Sequence, residues 1–263
     1  HDNAVVCKIG YVCSWPLLFL ALTTACWYYN DVQSENNAFA DRIAHNVVQQ
    51  LGTRDWIVDD SLTPYHLPIA MQAEQRALYS ISVEQPLSAN QNETIARFLA
   101  TDPALHAIQY RLYNALDLSA ERFLSTWLTT DPHACERIAF VKNAAILRKN
   151  GYDVLAKGFL LVGKKNVSDA MIRENVKAFQ DWVDTIAPLV QTGTPFPVQL
   201  HERCRQAACE QISLVANELA YLLVAHDHKA EALRLLQRAH DFDANNISAA
   251  VNYHYLVSTA TNT

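Results

Sequence analysis

Four constellations in this chain have residue types that could do chemistry. Asp59-Asp60-Ser61 closes a short apolar run, Asp55–Asp59, and carboxylates after a strand stand where α/β sheets place groups that bind a metal or a sugar. His226 and His228 flank Asp227, while His201 precedes Cys204 by three residues; imidazole and thiolate are both zinc ligands. His133 lies near Cys135, the residue types of a base and a nucleophile. Each constellation lacks a part its chemistry needs. Neither a G-x-G-x-x-G nor a phosphate-binding loop accompanies Asp59 and Asp60, so turn formation and helix N-terminal charge are the favoured roles, with a ligand cleft as the alternative. Each His/Cys or His/His pair supplies two ligands where a structural zinc needs four. Nothing in the sequence orients His133 or Cys135 toward the other. The sequence therefore names no catalytic residue, no metal ligand set and no cofactor.

Composition sets wider bounds. The 263 residues have room for one or two domains with a proper core. With 18% charged residues, 50% hydrophobic residues and a formal net charge of −6, the chain offers no electrostatic footprint for nucleic acid. Ile9–Tyr29 runs 21 residues without a charge, long enough to cross a hydrocarbon core of ~30 Å as a helix. Trp27, Tyr28 and Tyr29 close it like an interfacial belt. We read it as a transmembrane helix. A signal peptide, a lipid-anchor precursor and a buried core helix are the alternatives. Only Lys8 precedes the run as a basic residue, and in Leu22-Thr-Thr-Ala-Cys26 the leucine stands one place too far from the cysteine. Lys8 before the span, with Asp31 and Glu35 after it, points to an exported C-terminal part, periplasmic or otherwise extracytoplasmic. The first residue is His1, which, unless processing exposed it, suggests a fragment or an incomplete gene product. Beyond the apolar segment stand Cys135, Cys204 and Cys209, an odd number that makes core thiols a better reading than a disulfide framework.

The elements that must position these residues follow from pattern and punctuation. Asn30–Gln50 reads as a juxtamembrane helix that Gly52 ends. Asp55–Asp59 and Ala77–Glu84 read as strands, with a helix between them opened by Thr63-Pro64. Such a unit predicts a right-handed parallel crossover. Asn90 to Glu93 offers a capping box, and Asp102-Pro103 and Ser119 start two further helices. Ile138–Val141 is a third strand, Asn143–Asn150 a short helix stopped by Gly151, and Asp153–Val162 a fourth strand, or two joined at Lys157-Gly158. Ser168–Gln191 carries the stripe Ile172, Val176, Phe179, Val183, Ile186, Val190 of an amphipathic helix. Thr192–Pro197 reads as a linker, and Val198–His226 as one long helix.

Ile212, Val215, Leu219 and Leu222 follow helical spacing up to a break at His226-Asp227-His228. Ala232, Leu233, Leu236 and Ala239 form a second stripe, and small Ala220, Ala232 and Ala239 allow two helices to approach closely. With its 34 residues, Ser213–Asn246 resembles a tetratricopeptide repeat, followed by one more helix, Ile247–Ser258. The family's packing positions fall on Leu219, Ala220, Leu223, Ala232, Leu236 and Ala239; Ala216 stands where the family often has Trp, and Ala244 replaces its usual Pro. The resemblance implies a groove for an extended peptide or a partner helix, faced by Asn217 and Tyr221 and, on the next helix, Asn252 and Tyr255. The competing reading is a short cap that packs on the rest of the fold.

The expected fold is thus α/β plus α. A transmembrane helix occupies residues 1–30, a juxtamembrane helix and a small, mainly parallel α/β domain with inserted helices residues 31–165, and a helical, tetratricopeptide-like region residues 166–263. The expected function is a membrane-anchored interaction or scaffold module for protein or peptide partners, not an autonomous enzyme. The overall layout also resembles the soluble C-terminal tail of multi-span bacterial membrane proteins, glycosyltransferase-like ones included. That resemblance implies, as the alternative, an accessory domain whose catalytic part lies upstream of His1.

Overall fold

The computed structural model describes residues 22–24, 38–59, 66–84, 86–191 and 199–261. The expected span Ile9–Tyr29 therefore lies, apart from 22–24, outside the described residues, as do Thr63-Pro64 and Thr192–Pro197. Helix α1, residues 38–51, buries Phe39, Ile43, Ala44, Val47, Val48 and Leu51 along one stripe. Gly52, at φ 61°, turns the chain out of it. There follow β1 (Trp56–Val58), α2 (His66–Ala73), β2 (Tyr79–Ile81), α3 (Ala89–Thr101), α4 (Gln109–Leu118), α5 (Ala120–Thr130) and α6 (Ala134–Arg137). Strand β3 (Ile138–Phe140), α7 (Ala145–Lys149) and the pair β4 (Asp153–Lys157) and β5 (Leu160–Lys164) complete the sheet. Four helices end the chain: α8 (Asp169–Gln191), α9 (Gln199–Ala225), α10 (Lys229–Phe242) and α11 (Ile247–Thr261). Over the described residues the fold is mostly helical with this small sheet.

Two local starts differ from the sequence reading. The capping box of α3 is Ser88 with Gln91, two residues before the Asn90 and Glu93 expected: Ser88 Oγ accepts from the Gln91 amide while the Gln91 side chain accepts from the Ser88 amide. Asp102 does cap at Pro103, but what it opens is a single 3₁₀ turn, Pro103–Leu105; α4 begins only at Gln109. Ser119 caps α5 as its sequence suggests, accepting from the Arg122 amide at 3.1 Å.

The sheet runs β2-β1-β3-β5-β4. Strand β1 is parallel to β2 and to β3, while β5 is antiparallel to both β3 and β4. The sheet is mixed, which corrects the expectation of a mainly parallel one. The cause is local. Gly158, at φ 62°, takes the first central position of a two-residue turn, so β4 doubles back as a hairpin and cannot continue as a crossover. The apolar run Asp153–Val162 is two strands, and the second inserts beside β3. Trp56 at the start of β1 stacks on Tyr79 (ring centroids 4.9 Å) and meets Phe98 and Trp127 edge-on at 4.9 and 5.2 Å. Over the last two rings lies Arg137, ion-paired with Asp55 and Asp102.

Helix α8 buries all six residues of its predicted stripe. In α9 the stretch Glu202–Ala225 is long and apolar enough to cross a membrane, yet 61% of its most apolar window is buried inside the fold, against α8, α10 and β4. Gln211, buried on α9, donates from Nε2 to the carbonyls of Val141 (2.8 Å) and Phe159 (2.7 Å), just past β3 and between β4 and β5. One continuous apolar core consequently reaches from Phe39 on α1 to Leu256 on α11.

Candidate functional site

The last three helices build a groove whose shape is set by a few polar ties. Leu223 receives the His226 and His228 amides, closing α9, and Asp227 at φ 64° lets α10 return alongside it. Ala220, Ala232 and Ala239 are buried, so the two helices lie close. Ser213 Oγ donates to the Ala239 carbonyl (2.7 Å) and accepts from Asn246 Nδ2 (2.9 Å); Asn246 Oδ1 in turn caps α11 through the Ala249 amide (3.0 Å). These ties lay α11 beside α9. There Asn252 Nδ2 donates to Asn217 Oδ1 at 2.9 Å.

Around that amide bridge the four residues expected from the sequence come together. On one side, Tyr221 (55% exposed) and Tyr255 (65% exposed) flank an apolar pocket of about 120 Å³, floored by Ala220, Val224, Leu236 and Leu256. On the other side opens a polar cleft of about 390 Å³ lined by Lys142, Glu210, Asn217, Glu218, Asp243 and Ile247, among others. The bridge uses one donor and one acceptor, which leaves Asn217 Nδ2 as a donor and Asn252 Oδ1 as an acceptor. That is the complement of a peptide unit. Sequence reasoning missed Arg148 on α7, which ion-pairs with Glu218 and sets its guanidinium 4.7 Å over the Tyr221 ring. No local pattern could have found it, because α7 meets α9 only in the folded sheet-and-helix assembly.

The other sequence candidates serve the fold. Asp59 ends β1 at φ 55°, buried, and accepts from Ser82 Oγ (3.0 Å), the Val83 amide (2.7 Å) and Asn143 Nδ2 (2.7 Å). It thereby knots the ends of β1, β2 and β3, and both its oxygens are engaged. Asp60 lies outside the described residues. His226 faces Asp169 at 3.4 Å and Asp153 at 4.0 Å, and His228 faces Asp169 at 3.9 Å, which joins the α9–α10 turn to the starts of α8 and β4. Cys135 is buried, and burial pushes its thiol up to about 11, the opposite of nucleophile activation. His133 turns instead to Glu136 (3.3 Å). Cys204 and Cys209 are free thiols, both held above the ordinary range by burial; the His201 side chain lies outside what the structure describes.

Comparison with protein-family models, with curated proteins and with solved structures finds no match to this chain. In the groove, exposed apolar side chains and uncommitted polar groups converge on the residues expected from the sequence.

Proposed function

We propose that this protein is a membrane-anchored, exported interaction module whose α9–α11 groove holds a peptide segment of a protein partner. The observation that supports it best is the convergence of Asn217, Tyr221, Asn252 and Tyr255: two exposed rings over an apolar floor, next to a donor–acceptor pair. Aromatic side chains with a polar tip supply large contact area at low entropic cost, which is why they dominate binding hot spots. In this reading α9 and α10 are one tetratricopeptide-like hairpin, and α11 is the first helix of a second. Ile9–Tyr29 holds the module at the membrane, with the groove on the extracytoplasmic side.

The test is direct. The full chain, solubilised in mild detergent, is screened against a library of fluorescent peptides, and the binders are then measured on Tyr221→Ala with Tyr255→Ala. Loss of two anchor rings weakens binding by at least about tenfold, with the far-ultraviolet circular dichroism unchanged. Binders that are indifferent to both substitutions, or a library without binders, would overturn the reading.

A further inference from the structure

The groove is asymmetric in charge as well as in polarity. Its polar cleft sets three carboxylates, Glu210, Glu218 and Asp243, against one ammonium, Lys142. Arg148 neutralises Glu218 by direct ion pairing. Glu210 and Asp243 make their hydrogen bonds to uncharged donors, the Gln206 side-chain amide (2.8 Å) and the Asn245 backbone amide (3.0 Å), so neither is ion-paired, and with Lys142 counted the cleft keeps an excess of negative charge. The apolar pocket at the other end carries no ionised lining residue.

A single apolar rail joins the two ends. Ile247, Val251 and Tyr255 stand four residues apart on α11 and are 77%, 59% and 65% exposed, so they form one face. Ile247 lines the acidic cleft and Tyr255 the apolar pocket. Their separation along the helix axis is about 12 Å, at 1.5 Å per residue. An extended chain covers that distance in about four residues.

Resting on the groove reading above, we propose that the occupant is an extended peptide carrying an apolar side chain about four residues away from a Lys or Arg. The apolar side chain enters between Tyr221 and Tyr255, the backbone passes the Asn217–Asn252 bridge, and the cation sits with Glu210 and Asp243. Peptides with an acid at the second position meet an excess of carboxylate and are rejected. Phosphorylated or nucleic-acid ligands are disfavoured for the same reason.

Three pools of synthetic peptides separate this from its rivals, each with one apolar anchor and, four positions away in either direction, Lys/Arg, Ser, or Asp/Glu. Fluorescence anisotropy on the detergent-solubilised full chain is expected to give the basic pool an advantage of about tenfold over the Ser pool, shrinking at high salt. Glu210→Lys with Asp243→Lys reverses the preference toward the acidic pool, and the milder Glu210→Gln with Asp243→Asn abolishes it without reversal. Equal binding of all pools that still depends on Tyr221 overturns the charge inference and leaves the groove reading standing. A preference for the acidic pool overturns it likewise. If no pool binds, both fall. Self-association that Tyr255→Asp abolishes, with peptides excluded from the associated chain, would identify a second copy as the occupant and overturn the proposal.

Discussion

Cys135 illustrates how a single side chain links packing to pH. Burial raises its thiol from an ordinary 9.0 to about 11, and the neighbouring Tyr152, also buried, is pushed up to about 12. Both groups are held neutral by the fold. A raised pKa of this kind contributes stability that is fully present below the unfolded value and is lost as pH rises through the folded one. Denaturation midpoints are therefore expected to fall between pH 9 and 11, and Cys135→Ala to flatten the lower part of that slope, by up to about 2 kcal/mol; urea titrations at stepped pH measure it, and an unchanged slope in the variant would refute it. At this scale the sequence was partly legible. The thiols read as core residues because free cysteine is usually buried; Cys135 and Cys209 are, while Cys204 is half-buried, and Tyr221 and Asn217 were named through the resemblance to a tetratricopeptide repeat. The three hydrogen bonds that commit Asp59 were not, since their donors come from Ser82, Val83 and Asn143, far along the chain.

Among the elements, the β4–β5 hairpin decides the character of the sheet. Its turn residue, Gly158, sits at φ 62° with the Gln50 side chain against its open face: an added Cβ would lie 1.9 Å from Gln50 Nε2 and 2.1 Å from its Cδ. The same Gln50 accepts the Phe159 amide at 2.8 Å through Oε1. Gly158→Ala therefore imposes left-handed strain and expels a bonded side chain together, a loss of about 2–3 kcal/mol. Chemical denaturation reads this directly, and a variant within about 0.5 kcal/mol of wild type would mean the turn does not govern the hairpin. Helices with a clear stripe, such as α8 and α5, were legible because one buried face repeats at a fixed period. The insertion of β5 between β3 and β4 was not, because strand order depends on pairing between distant segments and leaves no local periodicity.

Over the whole molecule, the helical region and the sheet share one continuous apolar core. Gln211 bridges the carbonyls of Val141 and Phe159 from α9, so Gln211→Leu leaves two buried acceptors unpaired and is expected to cost about 2–4 kcal/mol. Unfolding of the wild type, followed by tryptophan fluorescence and far-ultraviolet circular dichroism, should give coincident single transitions. Two resolved transitions would show that the boundary near residue 165, natural in the sequence, separates independently folding parts. The sequence suggested that boundary because the hydrophobic period changes from strands to helices there, while the core that crosses it is a property of packing. The Gln50–Phe159 bond also bears on the order in which the fold can be completed. Residues 109 apart must both exist before it forms. A ribosome adding about 5–20 residues per second takes roughly 5–20 s to go from one to the other. For that interval Trp56, Ile57 and Val58, wholly buried in the finished protein, have no β3 and then no hairpin to complete their sheet. The nascent chain thus carries the apolar residues of β1, like those of α1 before it, without their final partners over most of that interval.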